Sequence, residues 1–407
     1  MAVRVDRRRV LIGTAAAIAA GPTSISLLNP ALAQTEAVTV VASGLTNPRG
    51  FTWAADGTMY VGLAGDGVTA VPAATPDASD AAVNADGTPV VAGAGETFVG
   101  TETASVVVIE QGCPATLASG FPSGGPPELG WELGVDHVEI LDGQLYALVG
   151  GGGEAYGHPG FPNGVYQINA DGSHALVADL SAWFRANPVA EPHPPVSPDA
   201  QPFSMVAIDG TLWIVEANHQ QVLTVTPGGA ITRIADLSVL GNLAPAGIAP
   251  APDGGVYVGF LSPLPFTDGS ARVVKVGTDG TVTDIWTGLT AVTAVAVGDD
   301  GVLYALEMAT GNTDEAPYVA PGTGKIVRQT GPDSSEDVLL GLDFPIKMEF
   351  GPDRALYVGT PAFGATDGQG QILRVDLAAD GLIDVKGPFV PATTCLGATG
   401  RWPVPPK

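Results

Sequence analysis

One short phrase recurs six times along the chain and constrains its fold more than any other feature of the sequence. Each copy is a run of alternating apolar residues, then Asp-Gly or a close variant, then an aliphatic residue and an aromatic one. The copies are FTWAADGTMY (51–60), VEILDGQLY (138–146), VAIDGTLW (206–213), IAPAPDGGVY (248–257), VAVGDDGVLY (295–304) and MEFGPDRALY (348–357). Because Asp-Gly adopts the positive φ that a two-residue turn needs, each phrase predicts a tight β-hairpin.

Further strand-like segments follow each hairpin. Third strands are predicted at 106–109, 165–168, 222–225, 273–276, 326–328 and 372–375, and turns such as Asp171-Gly172 lead to fourth strands such as 231–237 and 282–289. The aromatic residue that ends each phrase recurs at 213, 257, 304 and 357, close to the spacing of about 40 to 50 residues that is typical of propeller blades. The sequence therefore predicts an all-β fold, a six-bladed β-propeller of four-stranded antiparallel blades.

Two segments rich in small residues lengthen the earlier blades. Residues 64–103 and 183–201 contain no further hairpin phrase, so we expect loop inserts there instead of extra blades. Pro250 and Pro252 fall in an expected inner strand, which a sheet edge tolerates. Two segments compete for the fourth strand of blade six, Val38–Leu45 and Leu382–Val385.

The first 33 residues have the pattern of an export signal. Arg7-Arg8-Arg9 precede a weakly apolar, Ala-rich stretch, and Ala31-Leu32-Ala33 offers small residues for cleavage before Gln34. Adjacent arginines favour the twin-arginine route. An uncleaved membrane anchor is the alternative, but Pro22, Asn29 and Pro30 interrupt the segment. We predict an exported protein, extracellular or in the periplasm or cell envelope, with residues 34–407 as one propeller domain.

Charge and cysteine content narrow the partners further. The chain carries a formal net charge of −25, which disfavours binding to nucleic acid or to an anionic membrane surface. We expect a monomer without a membrane span after signal cleavage, whose partner is a small molecule or a protein. Its two cysteines, Cys113 and Cys395, both fall in the exported part. Oxidation there favours a disulfide between them, and two separate buried thiols are the alternative.

Several whole phrases resemble the ScyD/ScyE family of exported propellers, which is associated with scytonemin biosynthesis gene clusters. The stretches that carry the resemblance are VVASGLTNPRGFTWAADGTMYV (40–61), VEANHQQVLTV (215–225), VYVGFLSPLPFTDGSARVVKV (256–276) and VLYALEM (302–308). The resemblance implies the fold and export but little chemistry, and NHL-repeat and gluconolactonase-like propellers share the blade phrases. The chain differs from a typical member in the insert 64–103 and in its tail past Asp376.

The candidate site residues follow from the position that each takes in a blade. The sequence contains no Gly-x-Ser-x-Gly elbow, His-Glu-x-x-His helix, phosphate-binding loop or EF-hand loop. In six-bladed propellers, loops after second strands and the first residues of inner strands meet at one mouth of the central channel. The ligand or channel-mouth candidates are Asn47, Arg49, Asp136, His137, Glu216, Asn218, His219, Glu307 and Lys347.

These candidates allow more than one chemistry. Carboxylates with imidazole and a cation could carry out acid–base catalysis, with His137 or Glu216 moving a proton, or could hold a divalent cation such as calcium. Alternatively, Arg49, Glu216 and Lys347 form polar pairs that satisfy the channel wall. Three functions follow: a propeller that binds a small molecule or a protein at its loop-rich mouth, a metal-dependent lactonase-like hydrolase or lyase, and a structural cell-envelope protein.

Overall fold

The structure of the protein is a computed structural model. It describes residues 37–67, 100–125, 131–154, 157–193, 198–315, 318–364, 368–377 and 381–385. The predicted export signal (1–33) and Cys395 lie outside these residues, so the signal and the disulfide stay predictions. Cys113 is the first residue of a strand. Within the described part, no helix is both long enough and apolar enough to cross a lipid bilayer.

Short strands make up almost all of the regular structure. In chain order the strands are β1 (Val38–Leu45), β2 (Pro48–Trp53), β3 (Met59–Leu63), β4 (Thr101–Glu110), β5 (Cys113–Ser123), β6 (Val135–Leu141), β7 (Gln144–Val149), β8 (Gly164–Ile168), β9 (His174–Asp179), β10 (Pro202–Ile208), β11 (Thr211–Glu216), β12 (Gln221–Val225), β13 (Ile231–Asp236), β14 (Ala244–Pro250), β15 (Val256–Leu261), β16 (Ala271–Val276), β17 (Val282–Leu289), β18 (Val292–Val297), β19 (Leu303–Glu307), β20 (Gly324–Gly331), β21 (Ser334–Leu342), β22 (Met348–Phe350), β23 (Leu356–Thr360), β24 (Gly370–Val375) and β25 (Ile383–Asp384).

The strands form six antiparallel four-stranded blades. Blades one to five consist of β2–β5, β6–β9, β10–β13, β14–β17 and β18–β21, and blade six consists of β22–β24 with β1. The predicted fold class, a six-bladed propeller, is confirmed. Of the two segments that competed for the fourth strand of blade six, Val38–Leu45 takes this place as β1, which pairs with β24. The competing segment supplies β25, which adds to the outer edge of blade five in parallel with β21.

The hairpin turns are of two kinds, where the sequence predicted one. Asp142-Gly143 and Asp209-Gly210 form two-residue turns in which both residues have positive φ. In blades one, four, five and six the turn is one residue longer, as in Ala54, whose N–H donates to the carbonyl of Thr58. There the positive φ falls on the last turn residue, such as Gly57. The prediction of two-residue turns was therefore wrong for these four blades, because their turns contain a third residue before the second strand begins.

Apolar clusters between neighbouring blades form the core. Each of the six clusters contains the aromatic residue that ends one hairpin phrase, together with side chains of the next blade. Tyr146, for example, packs with Met205 and Ile214 of blade three. A single aromatic residue per repeat thus fills each junction, because the ring spans the gap between two twisted sheets.

A helix, α1 (Leu180–Ala186), interrupts the β architecture where the sequence predicted a loop from residue 183 onward. The Asp179 carboxylate caps it by accepting a hydrogen bond from Ala182 N at 2.7 Å. Leu180 and Phe184 are buried on its inner side. Much of the other insert, residues 68–99, lies outside the described residues. The last three residues of that predicted insert belong to β4, which begins at Thr101.

Candidate functional site

The inner strands run from one end of the central channel to the other. They are β2, β6, β10, β14, β18 and β22, and each begins near the loops that follow the second strands. We call this side the loop end. Each inner strand then finishes in the hairpin that leads to its second strand, and we call that side the hairpin end. The sequence-based candidates all belong to the loop end or to the middle of the channel.

One position of the repeat lies around the channel in every blade. It is the residue of the inner strand that pairs directly with the aromatic residue of the hairpin phrase. We call these six residues the channel ring: Thr52, Glu139, Val206, Ala249, Ala296 and Glu349. Blades two and six place carboxylates in the ring, whereas blades three to five place apolar side chains there. The ring is therefore polar on one side and apolar on the other.

A cavity of about 350 Å³ occupies the channel toward the hairpin end. Five members of the channel ring line it, all except Thr52. Ile248, Pro250, Val295 and other residues of blades three to five complete its apolar wall. Its charged lining residues are Glu139, Lys347 and Glu349. A mostly apolar cavity of this size with a few polar groups on one side is typical of small-molecule sites.

The three charged residues influence one another electrostatically. Lys347 Nζ lies 3.0 Å from Glu349 Oε2. Glu139 Oε1 accepts hydrogen bonds from Thr52 Oγ1 at 3.2 Å and from Ile140 N at 2.8 Å. Burial, and then the negative charge of Glu349, raise the pKa of Glu139 to about 7. Near neutral pH, Glu139 can therefore either donate or accept a proton.

His137 lies directly behind this group. Its Nε2 is 3.5 Å from Lys347 Nζ, and its Nδ1 is 3.1 Å from Ser204 Oγ. Burial and the adjacent ammonium of Lys347 lower the pKa of His137 well below its ordinary value, so the ring is neutral at pH 7. A neutral ring whose Nε2 accepts from Lys347 carries its proton on Nδ1 and donates it to Ser204. His137 thus holds the Lys347 ammonium at the edge of the cavity.

At the loop end, Arg49 and Asp136 form an ion pair that is almost fully buried. Arg49 Nε lies 3.3 Å from Asp136 Oδ1, and each side chain is 1% exposed. Burial raises the pKa of Asp136 to about 7 although Arg49 opposes the change. Gly150 makes this position possible, since a Cβ atom there would lie 2.1 Å from Asp136 Oδ2.

Aromatic rings from the inner strand β10 and from separate loops cover this ion pair. The Arg49 guanidinium carbon lies 4.9 Å from the ring centre of Phe363 and 5.5 Å from that of Phe203. Trp131 stacks on Phe266 at 5.8 Å and lies 6.0 Å from Phe363. The loop end, where the sequence placed the binding mouth, is thus packed with apolar rings above a buried charge pair.

Glu132 adds a second carboxyl group beneath these rings. Its side chain is buried, and burial raises its pKa to about 7. Its Oε2 accepts a hydrogen bond from Gly364 N at 3.5 Å. No sequence pattern selects Glu132, because it precedes its inner strand and belongs to no repeated phrase.

Three more candidates organise the loop that follows β11. Glu216 is fully buried and accepts hydrogen bonds from the backbone N–H groups of Gln201 (2.6 Å), Asn218 (3.2 Å) and His219 (2.6 Å). His219 stacks on Phe184 of α1 with ring centres 4.1 Å apart. Asn218 Nδ2 donates to Asp199 O at 2.9 Å. These contacts bind the loop to the fold and match the structural alternative for Glu216, a polar group that satisfies its surroundings.

The remaining candidates also make internal contacts. Glu307 Oε1 accepts from Thr290 N at 2.7 Å, and its Oε2 lies 3.5 Å from Lys325 Nζ. Burial raises the pKa of Glu307. Asn47 is buried, adopts a positive φ of 50° and donates from Nδ2 to Gly65 O at 2.9 Å. Of the nine candidates, the structure brings Arg49 together with Asp136, His137 with Lys347, and Glu216 with Asn218 and His219.

A metal site at either end of the channel would need several ligating side chains close together. Across the described ranges, no three His, Cys, Asp or Glu side chains come together as a group that could hold a metal ion. At the hairpin end, Lys347 Nζ lies 3.0 Å from Glu349 Oε2. In this arrangement the ammonium of the chain itself neutralises Glu349.

Two cavity residues that sequence reasoning missed have a signal in the repeats. Glu139 and Glu349 stand where two other copies of the phrase carry Ala249 and Ala296. A carboxylate where other repeats hold a small apolar residue marks a departure from the common packing role. Comparing the phrases position by position would have selected both.

Solved structures of several propellers are similar to this chain. They include regucalcin, a calcium-binding protein from Agrobacterium tumefaciens (14% identity, TM-score 0.49, 86% of this chain and 95% of that one). A gluconolactonase from Xanthomonas campestris matches with 10% identity and a TM-score of 0.46, over 83% and 89% of the two chains. Virginiamycin B lyase from Staphylococcus aureus matches with 14% identity and a TM-score of 0.41, over 83% and 97%.

No protein-family model and no curated protein matches the sequence. The ScyD/ScyE resemblance therefore stays a prediction, and identities this low assign no ligand or reaction to the chain. The chain's own strands form a six-bladed β-propeller, and the chain is similar to the solved structures of regucalcin, a gluconolactonase and virginiamycin B lyase.

Proposed function

We propose that this protein is an exported propeller that binds a small molecule in the channel cavity at its hairpin end. One observation carries the proposal: the 350 Å³ cavity combines an apolar wall with a confined charged group. The export pattern of residues 1–33 supports a location outside the cytoplasm. Kinship with the ScyD/ScyE family is part of the same proposal and accounts for the phrases that the family shares with this chain.

The contrast with the loop end supports the choice of cavity. Arg49 and Asp136 neutralise each other beneath aromatic rings, so their charges are already used within the fold. Lys347 and the two carboxylates line an open volume instead, where they can contact a ligand. Binding through partly buried charges in an apolar cavity gives orientation as well as affinity.

Filling the cavity tests the proposal. Val206→Trp adds a large aromatic side chain to the channel ring from blade three. Ala296→Phe adds one from blade five, in case the first variant folds poorly. The matched control is Val239→Trp, because Val239 is 54% exposed on a short 3₁₀ turn outside the cavity lining. Saturation-transfer NMR with phenethylamine, 2-phenylethanol and phenylacetate reports binding of small ring compounds.

We expect at least one of the three compounds to bind the parent protein and the Val239→Trp control. Binding is expected to be lost in the folded cavity-filling variants. The proposal fails if no compound binds the parent protein. It also fails if a compound binds equally well when the cavity is filled.

A further inference from the structure

We infer that the ligand of the cavity is a small organic cation, an amine with an apolar ring or chain. Its ammonium would lie against Glu139 and Glu349, and its body would lie along blades three to five. This inference rests on the proposed function and names the chemical class of its ligand. It follows from the position of the charges, from their number, and from the charge around the opening.

The two sides of the cavity set the shape of the ligand. The carboxylates belong to blades two and six, which flank blade one, where Thr52 holds Glu139 by a hydrogen bond. The opposite wall is made by Met205, Ile248, Val295 and their neighbours in blades three to five. A ligand that satisfies both sides has one polar end and an apolar body.

The number of charges sets the sign of the polar end. Two carboxylates and one ammonium line the cavity, and Lys347 already pairs with Glu349 at 3.0 Å. An added positive charge balances the group, whereas an added carboxylate places a third negative charge in a low-dielectric site. Cation binding is therefore favoured over binding of an anion of the same shape.

Binding of a cation should also release a proton from the carboxyl group of Glu139. The titratable or charged groups that face it are Glu349 and Lys347 from blade six and His137 from its own strand, while Thr52 is the neutral contact from blade one. Since burial and Glu349 raise the pKa of Glu139 to about 7, the carboxyl is largely protonated at pH 6. A bound ammonium replaces that proton, and the proton leaves to solvent.

Charge at the hairpin end points the same way. The hairpins that follow the inner strands carry seven exposed aspartates: Asp56, Asp142, Asp209, Asp253, Asp299, Asp300 and Asp353. Three of them pair with cations, namely Lys275, Arg354 and Arg374. The excess of negative charge around the opening raises the local concentration of cations and repels anions.

Titration calorimetry with three probes of nearly equal shape tests the inference. We expect phenethylamine to bind at least about tenfold more tightly than 2-phenylethanol, and phenylacetate to bind most weakly. Each tenfold difference in the dissociation constant corresponds to about 1.4 kcal/mol of binding free energy. Glu349→Gln should weaken phenethylamine by about tenfold and leave 2-phenylethanol unchanged. The matched control Glu336→Gln removes a carboxylate that is 51% exposed and pairs with Arg328 on blade five, and it should change neither.

Proton release gives a second readout. Calorimetry in buffers of different ionisation enthalpy should show nearly one proton released per phenethylamine at pH 6 and almost none at pH 8.5, because Glu139 is then already ionised. Glu139→Gln should abolish the release at pH 6. If 2-phenylethanol or phenylacetate binds as tightly as the amine, the cation inference is wrong while binding in the cavity stands. If no probe binds, both the inference and the proposed function fall.

Discussion

The two ends of the channel use the same kinds of side chain in opposite ways. At the loop end, Arg49 and Asp136 are buried under aromatic rings and contact each other. At the hairpin end, Lys347, Glu139 and Glu349 line an open cavity. Aromatic rings close one end because loops of several blades contribute Trp131, Phe266 and Phe363 there. The difference shows that a cluster of polar side chains in a propeller channel can stabilise the fold as readily as it can form a ligand-binding site.

Changes of charge at the two ends should therefore affect different properties, stability at one end and ligand binding at the other. A change of charge at the loop end should alter stability and leave ligand binding intact, since neither Arg49 nor Asp136 lines the channel cavity. At the hairpin end, removing the partly exposed carboxylate of Glu349 should alter ligand binding and leave stability nearly intact.

Arg49→Met should give the largest loss of stability. The change leaves the Asp136 carboxylate buried without its cation, and removing one partner of a buried pair costs about 3 to 5 kcal/mol. Denaturant unfolding at pH 8, where Asp136 is mostly ionised, measures the loss. The double variant Arg49→Met/Asp136→Asn should recover part of it, because no charge is then left alone. A loss below about 1 kcal/mol in the single variant would contradict a buried ion pair.

The stability of the protein should fall as pH rises. The pKa of Asp136 is near 3.8 in an unfolded chain and about 7 in the fold, so the folded state takes up a proton over this range. This contribution is complete below pH 4 and is lost as pH rises through 7. Glu132 and Glu139 act in the same direction, since burial raises each pKa to about 7.

Thermal melting between pH 5.5 and 8.5 checks this dependence. We expect the melting temperature to decrease by about 5 °C over that interval, and Asp136→Asn to reduce the decrease. The exposed turn residue Asp142 provides the control, because Asp142→Asn should leave the slope unchanged. A melting temperature that rises with pH would show that these carboxyl groups are not buried.

Glu349→Gln should have the smallest effect on stability, although it weakens binding of phenethylamine. The Glu349 side chain is 34% exposed, and partly exposed ion pairs contribute at most about 1 kcal/mol. The same denaturant assay measures it beside Arg49→Met. A loss of 2 kcal/mol or more would mean that the cavity charges hold the fold together, and the distinction between the two ends would disappear.

Local patterns predicted most of the fold. The Asp-Gly turns and alternating apolar runs marked the inner hairpins, and a regular aromatic marker such as Trp213 identified the blade junctions. These features act within a few residues of one another, so they can be read from the sequence. Ring closure could be narrowed to two segments but not decided, because β1 and β25 both resemble outer strands and pair with distant parts of the chain.

The candidate site was less predictable because it depends on contacts across the ring. His137 and Lys347 were selected, but their contact joins blade two to blade six and follows only from the closed channel. The aromatic cover was not foreseen, since Trp131 and Phe363 come from separate loops without a shared pattern. The channel ring depends on which residue pairs with the aromatic marker, and that register changes by one residue between turns of different length.

The most direct test of the account is the place where a heavy-atom ligand binds. Crystals of the full mature protein soaked with 4-iodophenethylamine can be measured at a wavelength where iodine scatters anomalously. We predict a single strong iodine peak in the channel cavity, beside Val206 and Ala249 on the apolar wall. An iodine peak at the loop end, among Trp131, Phe203 and Phe363 above Arg49, would contradict it.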